Sequence, residues 1–260
     1  MQPAEAWDPS QYVVPPVEGK TRFHDIGLPD QLLHAIADLR FQYCTPVQAD
    51  VLPHALQGRD IVGQAQTGTG KSAAFLLTIL THLLRKPVAE RRKASPRALI
   101  LAPTRELVLQ IEKDAKALAK YIPCTIVAVF GGMNYERQKR WLDTQVDIVV
   151  ATPGRLIDFK AQRLIHLNHV EILVIDEADR MLDMGFIPDV RSIVHSTPHK
   201  DKRQTMFFTA TLNDDVKRLA ASWTKDAVQV EITPEQVAVE SVEQRVYICT
   251  TDEKFKLLYN

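Results

Sequence analysis

Seven short runs rich in Val, Ile and Leu, amphipathic stretches between them, and a Gly-rich loop joining the first run to a helix predict an α/β domain. Its central sheet is mainly parallel, with helices on both faces. The runs fall at 61–62, 98–102, 125–130, 147–151, 171–176, 204–208 and 228–232. Several are continuously apolar, as strands covered on both faces must be. The segment 106–119 has the other period, with Leu107, Ile111, Ala115 and Leu118 on one helical face. Ligands of such sheets bind beyond the carboxyl ends of the strands. The residues with chemical promise fall there, at 65–72, 103–106, 131–132, 152–155, 176–179 and 209–211.

The composition is that of an ordinary soluble globular protein. The 260 residues suffice for one large core, and 45% are hydrophobic and 25% charged. Thirty-two basic residues balance 32 acidic ones, so any nucleic-acid binding must come from local placement of charge. Three cysteines, Cys44, Cys124 and Cys249, form no CxxC pair and make no case for zinc or a disulfide framework. His166 and His169 lack an acidic neighbour and read as surface histidines. Arg91, Arg92 and Lys93 read as a solvated loop. The first six residues lack the basic and apolar regions of a signal peptide. The most apolar stretch, 73–84, is too short for a bilayer and is broken by Thr78, Thr81 and His82. These features point to a cytoplasmic protein without a membrane segment. Residues 1–20 carry Pro3, Pro9, Pro15 and Pro16 and read as a flexible lead-in.

The loop Ala65-Gln66-Thr67-Gly68-Thr69-Gly70-Lys71-Ser72 matches a phosphate-binding loop except at its first position, where that pattern has Gly. Glycines let the backbone curl so that N–H groups face an anion, and the following helix adds the positive end of its dipole. Lys71 suits the β/γ-phosphates and the Ser72 hydroxyl suits Mg²⁺. Downstream, a buried strand runs into Asp176-Glu177-Ala178-Asp179. Beside a phosphate loop, Asp176 suits the metal and Glu177 suits the attacking water. Taken alone, the same four residues also suit an acidic first helical turn.

Asp176-Glu177-Ala178-Asp179 spells the name of the DEAD-box RNA helicases, and the motifs around it resemble that family in order. Phe23 and the segment Thr45-Pro46-Val47-Gln48 resemble its adenine-reading Q motif. The loop 65–72 resembles motif I, Pro103-Thr104-Arg105-Glu106-Leu107 motif Ia, and Gly131-Gly132 the GG element. Thr152-Pro153-Gly154-Arg155 resembles motif Ib, and Thr209-Ala210-Thr211 sits where the family has motif III. Within the family the chain looks most like bacterial members of the RhlB and RhlE type. The resemblance implies a RecA-like P-loop NTPase domain over 21–237, using ATP and Mg²⁺ to unwind or remodel RNA. It implies ATP contacts from Phe23, Gln48 and 65–72, with Ser72 and Asp176 as metal ligands. Lys71, Asp176 and Glu177 then carry the catalysis. Pro103, Thr104, Arg105, Gly131, Gly132, Thr152, Pro153, Gly154 and Arg155 would hold the RNA backbone, without reading sequence. Asp179, Thr209 and Thr211 would couple the ATP state to the RNA state. RNA-decay or ribosome-assembly proteins are the partners that the bacterial branch suggests. Without the family, Phe23 reads as a core aromatic and Gln48 as a helix-start residue.

The chain departs from the family at several places. Thr209 stands for the usual Ser and Ser72 for the commoner Thr, both keeping a hydroxyl. Arg40 and Cys44 replace the usual Gly and Pro, which bears on the loop shape before Gln48. Residues 238–260 resemble the interdomain linker and the cut-short start of a second RecA-like domain. The family's second domain brings arginines to the γ-phosphate, and such arginines are worth orders of magnitude in rate. This chain is therefore expected to bind adenine nucleotide, to hydrolyse it poorly and not to unwind RNA by itself.

Overall fold

The computed structural model describes residues 7, 8, 12–231 and 250. The residues assigned to the linker and second domain lie outside the described residues, Thr250 apart. Seven strands form one sheet: β1 (Ile61–Gln64), β2 (Ala98–Leu101), β3 (Ile126–Val129), β4 (Ile148–Ala151), β5 (Ile172–Ile175), β6 (Gln204–Thr209) and β7 (Val228–Glu231). Their order is β3-β4-β2-β5-β6-β1-β7 and every pairing is parallel. All seven predicted runs are strands, as the α/β reading requires.

Alternation along each strand divides the core into two layers. On β2, Ala98 and Ile100 join the layer under α1 (Asp30–Asp38), α2 (Pro46–Ala55), α3 (Lys71–Arg85) and α4 (Arg105–Leu118). Leu99 and Leu101 join the opposite layer. That layer lies under α6 (Pro153–Ala161), α8 (Ile187–Val194) and α9 (Asp214–Trp223). Burial on both faces is why β2, β3, β4 and β5 are continuously apolar. Where β1 meets β6, Gly63 is required: a Cβ there would stand 2.6 Å from the Phe208 ring.

The strand-to-helix turns put the motifs on one edge. The 65–70 loop joins β1 to α3, and residues 102–104 join β2 to α4. Residues 130–134 lead from β3 to α5 (Tyr135–Leu142), Thr152 joins β4 to α6, and 176–177 join β5 to α7 (Ala178–Asp183). Local capping sharpens these turns. The side chains of Thr104 and Asn213 accept from Leu107 N–H and Val216 N–H, and Pro153 begins α6 behind Thr152. At the other edge, Glu171 takes two hydrogen bonds from Arg97 and meets His82, tying α3 to β2 and β5. The 91–93 loop is fastened to its surroundings: Arg91 pairs with Asp147 at 2.6 Å and Lys93 with Asp143 at 3.2 Å.

Candidate nucleotide and nucleic-acid site

The 65–70 loop is held from both ends. Ala65 N–H donates to the Thr209 carbonyl at 3.0 Å, and the Thr69 hydroxyl to the Gln66 carbonyl at 2.8 Å. Gly70 has φ 93°, and a Cβ on it would stand 2.5 Å from Gln48 Nε2. Its bare backbone lets the amide of Gln48 approach, and Gln48 Nε2 donates to the Gly70 carbonyl at 3.1 Å. Gln48 Oε1 accepts the Thr45 N–H at 2.9 Å. One amide N–H and one oxygen lone pair of Gln48 remain for another partner.

Lys71 opens α3 and is buried. Its ammonium donates to the Ala65 carbonyl at 3.0 Å and lies 3.6 Å from Asp176 Oδ1. Asp176 follows β5 and is buried, and burial pushes its carboxyl up to about 6 although Lys71 pulls it down. Glu177 follows with φ 53° and ψ 51°, a left-handed backbone that glycine adopts more readily. Its carboxylate meets Arg180 at 3.2 Å.

These groups share a cleft of about 780 Å³ lined by Phe23, Arg40, Phe41, Gln48, Gly68, Gly70, Lys71, Ser72, Asp176 and Glu177, among others. A second opening of about 410 Å³ also touches Thr67, Lys71 and Glu177, and reaches Asp179 and Ala210. The cleft separates two aromatic residues that the sequence leaves equivalent. Phe23 is 1% exposed and lies in the core, whereas Phe41 is 40% exposed at the wall. The two rings stack at 6.5 Å, so Phe41 offers a free face and Phe23 backs it. Sequence reasoning passed over Phe41. Its one mark was an aromatic residue set between the polar Arg40 and Gln42. Arg40 itself has φ 58°, which explains why glycine is usual there and shows that the turn persists with Arg in place.

Asp179 joins the β5 and β6 turns. It accepts from Thr211 N–H at 2.8 Å, the Thr211 hydroxyl at 3.0 Å and Ala210 N–H at 3.2 Å. Burial pushes Asp179 up, but the hydrogen bonds from Thr211, Arg180 and Thr209 outweigh it and leave the carboxyl below its ordinary value. Thr209 also donates to the Thr211 carbonyl at 2.9 Å.

The remaining motif residues meet on the neighbouring strands β2, β4 and β3. The Arg105 guanidinium lies 5.2 Å over the Phe130 ring, and a Cβ on Gly132 would stand 3.4 Å from Arg105 Nη1. Thr152 N–H donates to the Val129 carbonyl. Arg155 stacks over Tyr135 and Phe159 at 5.6 and 5.7 Å, and its buried Nη1 has no hydrogen-bond partner in the protein. Pro103 is buried beneath this patch, and Gly131 and Gly132 are exposed on it. The edge thus carries two adjacent groups of residues, one around β1, β5 and β6 and one around β2, β4 and β3. Elsewhere, His166 and His169 are exposed.

Comparison with known proteins agrees with this arrangement. The model of the DEAD/DEAH box helicase family matches residues 45–219. The chain belongs to this family. Among curated relatives, the ATP-dependent RNA helicase RhlB of Pseudomonas aeruginosa (strain UCBPP-PA14) is 57% identical over 250 residues, covering 95% of this chain. The RhlB of Pseudomonas putida (strain KT2440) is 56% identical with the same coverage, and that of Shewanella sp. (strain MR-4) is 44% identical over 91% of this chain. The chain spans 63% of the length of the two Pseudomonas proteins and 54% of the Shewanella one. A crystal structure of a hypothetical ATP-dependent RNA helicase from Sulfolobus tokodaii superposes with a TM-score of 0.71 at 32% identity, covering 79% of this chain and 57% of that one. The sheet is therefore the RecA-like sheet of a DEAD-box helicase domain, and motifs from Thr45 to Thr211 fall within the matched span.

Proposed function

We propose that this chain is the ATP- and RNA-binding part of an ATP-dependent RNA helicase. The observation that carries the proposal is the Lys71–Asp176 pair, 3.6 Å apart under the 65–70 loop, in the cleft that also holds Gln48 and Phe41. The names of the relatives support ATP and RNA as the ligands. A cytoplasmic setting and work beside RNA-decay or ribosome-assembly proteins rest on the bacterial resemblance. Among the described residues, no helix is long and apolar enough to cross a membrane.

The cleft has a base end and a phosphate end. At the base end, Phe41 would stack on adenine and the free N–H and lone pair of Gln48 would meet its polar edge. At the phosphate end, the loop N–H groups, the α3 dipole and Lys71 would hold the anion. The donor set suits Mg²⁺: Lys71 alone does not bring the buried Asp176 carboxyl down to its ordinary value, which leaves room for a second cation, and the Ser72 hydroxyl lines the same cleft. Ser72 and Asp176 would hold that ion, which when bound neutralises charge on the phosphates. Glu177 would orient the attacking water and take its proton. Asp179 would report the state of this end to the β6 turn through Thr211, with Thr209 beside it. On the adjacent strands, Thr104, Arg105, Gly131, Gly132, Thr152, Gly154 and Arg155 would hold a sugar–phosphate backbone. Contacts to 2′-hydroxyls would favour RNA.

The cations lining the cleft among the described residues are Arg40 and Lys71. With Lys71 as the one loop cation, the chain alone is expected to turn ATP over slowly. The test is titration of the 260-residue chain with a fluorescent adenine nucleotide, with and without Mg²⁺, together with competition of RNA and same-sequence DNA for crosslinking to it. Mg²⁺-dependent adenine binding and stronger competition by RNA are expected. Equal competition by DNA would remove RNA from the proposal, and no nucleotide binding would remove the whole of it.

The division of labour between the aromatic residues gives a separate prediction. Base–aromatic stacking is worth ~1–3 kcal/mol. Phe41→Ala should therefore weaken adenine nucleotide by about 10-fold while leaving the melting temperature near that of the parent chain. Phe23→Ala should instead unfold the domain at lower temperature, because the buried ring leaves a cavity costing ~3–5 kcal/mol. Calorimetric titration and thermal melts of the two variants distinguish these outcomes, and reversed effects would restore Phe23 as the base-stacking residue.

A further inference from the structure

The ring of Phe41 sits on a loop that α1 ties at one end, with Arg40 N–H donating to the Ala37 carbonyl at 2.9 Å and Phe41 N–H to the Ile36 carbonyl at 3.1 Å. Phe41 is 40% exposed, Gln42 is exposed and Arg40 has a left-handed backbone at φ 58°. Burial does not fix the loop, so its shape must come from directed contacts. Beyond the two from α1, residues 12–22 supply them. The Tyr12 hydroxyl donates to the Phe41 carbonyl at 2.9 Å. In return the Tyr43 hydroxyl donates to the Pro15 carbonyl at 2.8 Å, and Cys44 N–H donates to the Thr21 carbonyl at 2.8 Å. The Lys20 ammonium lies 5.2 Å from the centre of the Tyr43 ring.

Residues 12–22 are themselves anchored on the fold. Val14 is buried, and its carbonyl accepts from Arg22 Nη1 at 3.1 Å. The same guanidinium grips Asp25 through Nε at 2.9 Å and Nη2 at 2.8 Å. The Tyr12 ring stacks on His24 at 5.6 Å, next to the Phe23–Phe41 stack. Both stacks start from the single 3-10 turn Phe23–Ile26. Tyr12 therefore sits on a fixed base and reaches the backbone of Phe41, the exposed aromatic residue at the cleft wall.

We propose that Tyr12 is a positioning residue for the nucleotide base. With Tyr43, it fastens the loop in the shape that presents Phe41 to the cleft. The inference rests on the reading of this cleft as an adenine-nucleotide site. It makes residues 12–22 part of the base seat, although none of them lines the cleft. Without these ties the loop samples other shapes, and the apparent affinity falls by the fraction of time that the seat is formed. Only the base feels that loss, because the phosphates rest on the 65–70 loop.

The test compares the chain with Tyr12→Phe and with the double variant Tyr12→Phe/Tyr43→Phe. Each change removes a hydroxyl and keeps the ring, so the stack on His24 and the fold are retained. The ligands are Mg–ADP and Mg–tripolyphosphate, which has no base, titrated by calorimetry. One hydrogen bond supports a change of roughly 3-fold in the Kd for ADP, and two of roughly 10-fold, with tripolyphosphate unaffected by either. An unchanged Kd for ADP in the double variant overturns the inference. So does an equal loss for both ligands, which would mean general loosening of the fold. If the parent chain binds ADP no better than tripolyphosphate, the base seat itself is refuted, and that outcome is visible before any variant is made.

Discussion

Lys71→Ala is expected to weaken Mg–ADP by ~30-fold or more, on two counts. A charge-assisted hydrogen bond to phosphate is worth ~1.5–3 kcal/mol, and it is removed directly. The second loss passes through Asp176. Burial already holds that carboxyl up at about 6 from 3.8, with Lys71 as the group pulling it down. Without Lys71 it rises further, so the variant is expected to carry less of the charge that would hold Mg²⁺. Stability should report the same change. An acid whose folded pKa is raised binds its proton more tightly in the folded state, so stability falls as pH climbs from the unfolded pKa to the folded one and is flat beyond. For the parent chain this fall runs from about 4 to about 6. In Lys71→Ala it continues above 6. The gap in urea-unfolding free energy between the two proteins should therefore widen from pH 6 to pH 8. A constant gap would show that Asp176 does not depend on Lys71 for its charge.

What the sequence discloses and what it hides have separate physical causes. Strands such as 172–175 and 148–151 were legible because a parallel sheet covered on both faces demands unbroken apolar runs. Their order was not. Nothing in the runs says that β4 inserts between β2 and β3, and it is this insertion that brings Thr152 and Arg155 beside Gly131 and Arg105. The phosphate loop was legible because its glycines have a backbone duty that other residues meet poorly. The base end was harder to read. Phe23 and Phe41 are the same residue type a short distance apart, and only packing decides that one is core and the other wall. Arg40 hides a left-handed turn behind a residue that does not advertise one. Tyr12 lies in a proline-punctuated stretch without periodicity, and its hydrogen bond to a carbonyl 29 residues away leaves no local pattern.

Glu177→Gln is expected to reduce single-turnover hydrolysis of Mg–ATP by about 10²–10⁴-fold, the usual worth of a general base, while binding stays within about two-fold. The measurement uses the chain in excess over ATP, so that slow turnover remains countable. Retention of the parent rate would exclude Glu177 as the base. The backbone makes a second, independent statement about this residue. Glu177 is held at φ 53° and ψ 51° between β5 and α7, where a non-glycine residue carries strain of ~1–2 kcal/mol. The strain is sustained by the neighbours: Asp176 Oδ1 accepts the Glu177 N–H at 3.0 Å, and Met181 N–H donates to the Glu177 carbonyl at 3.0 Å. Were this position only a turn, glycine would serve it better. Glu177→Gly should therefore unfold at higher urea than Glu177→Gln, by ~1 kcal/mol, and be equally inactive. A strained residue whose removal stabilises the fold and abolishes the reaction is held there for its side chain. If the glycine variant is instead no more stable, the left-handed turn carries no strain, and the case for Glu177 stands on the kinetics alone.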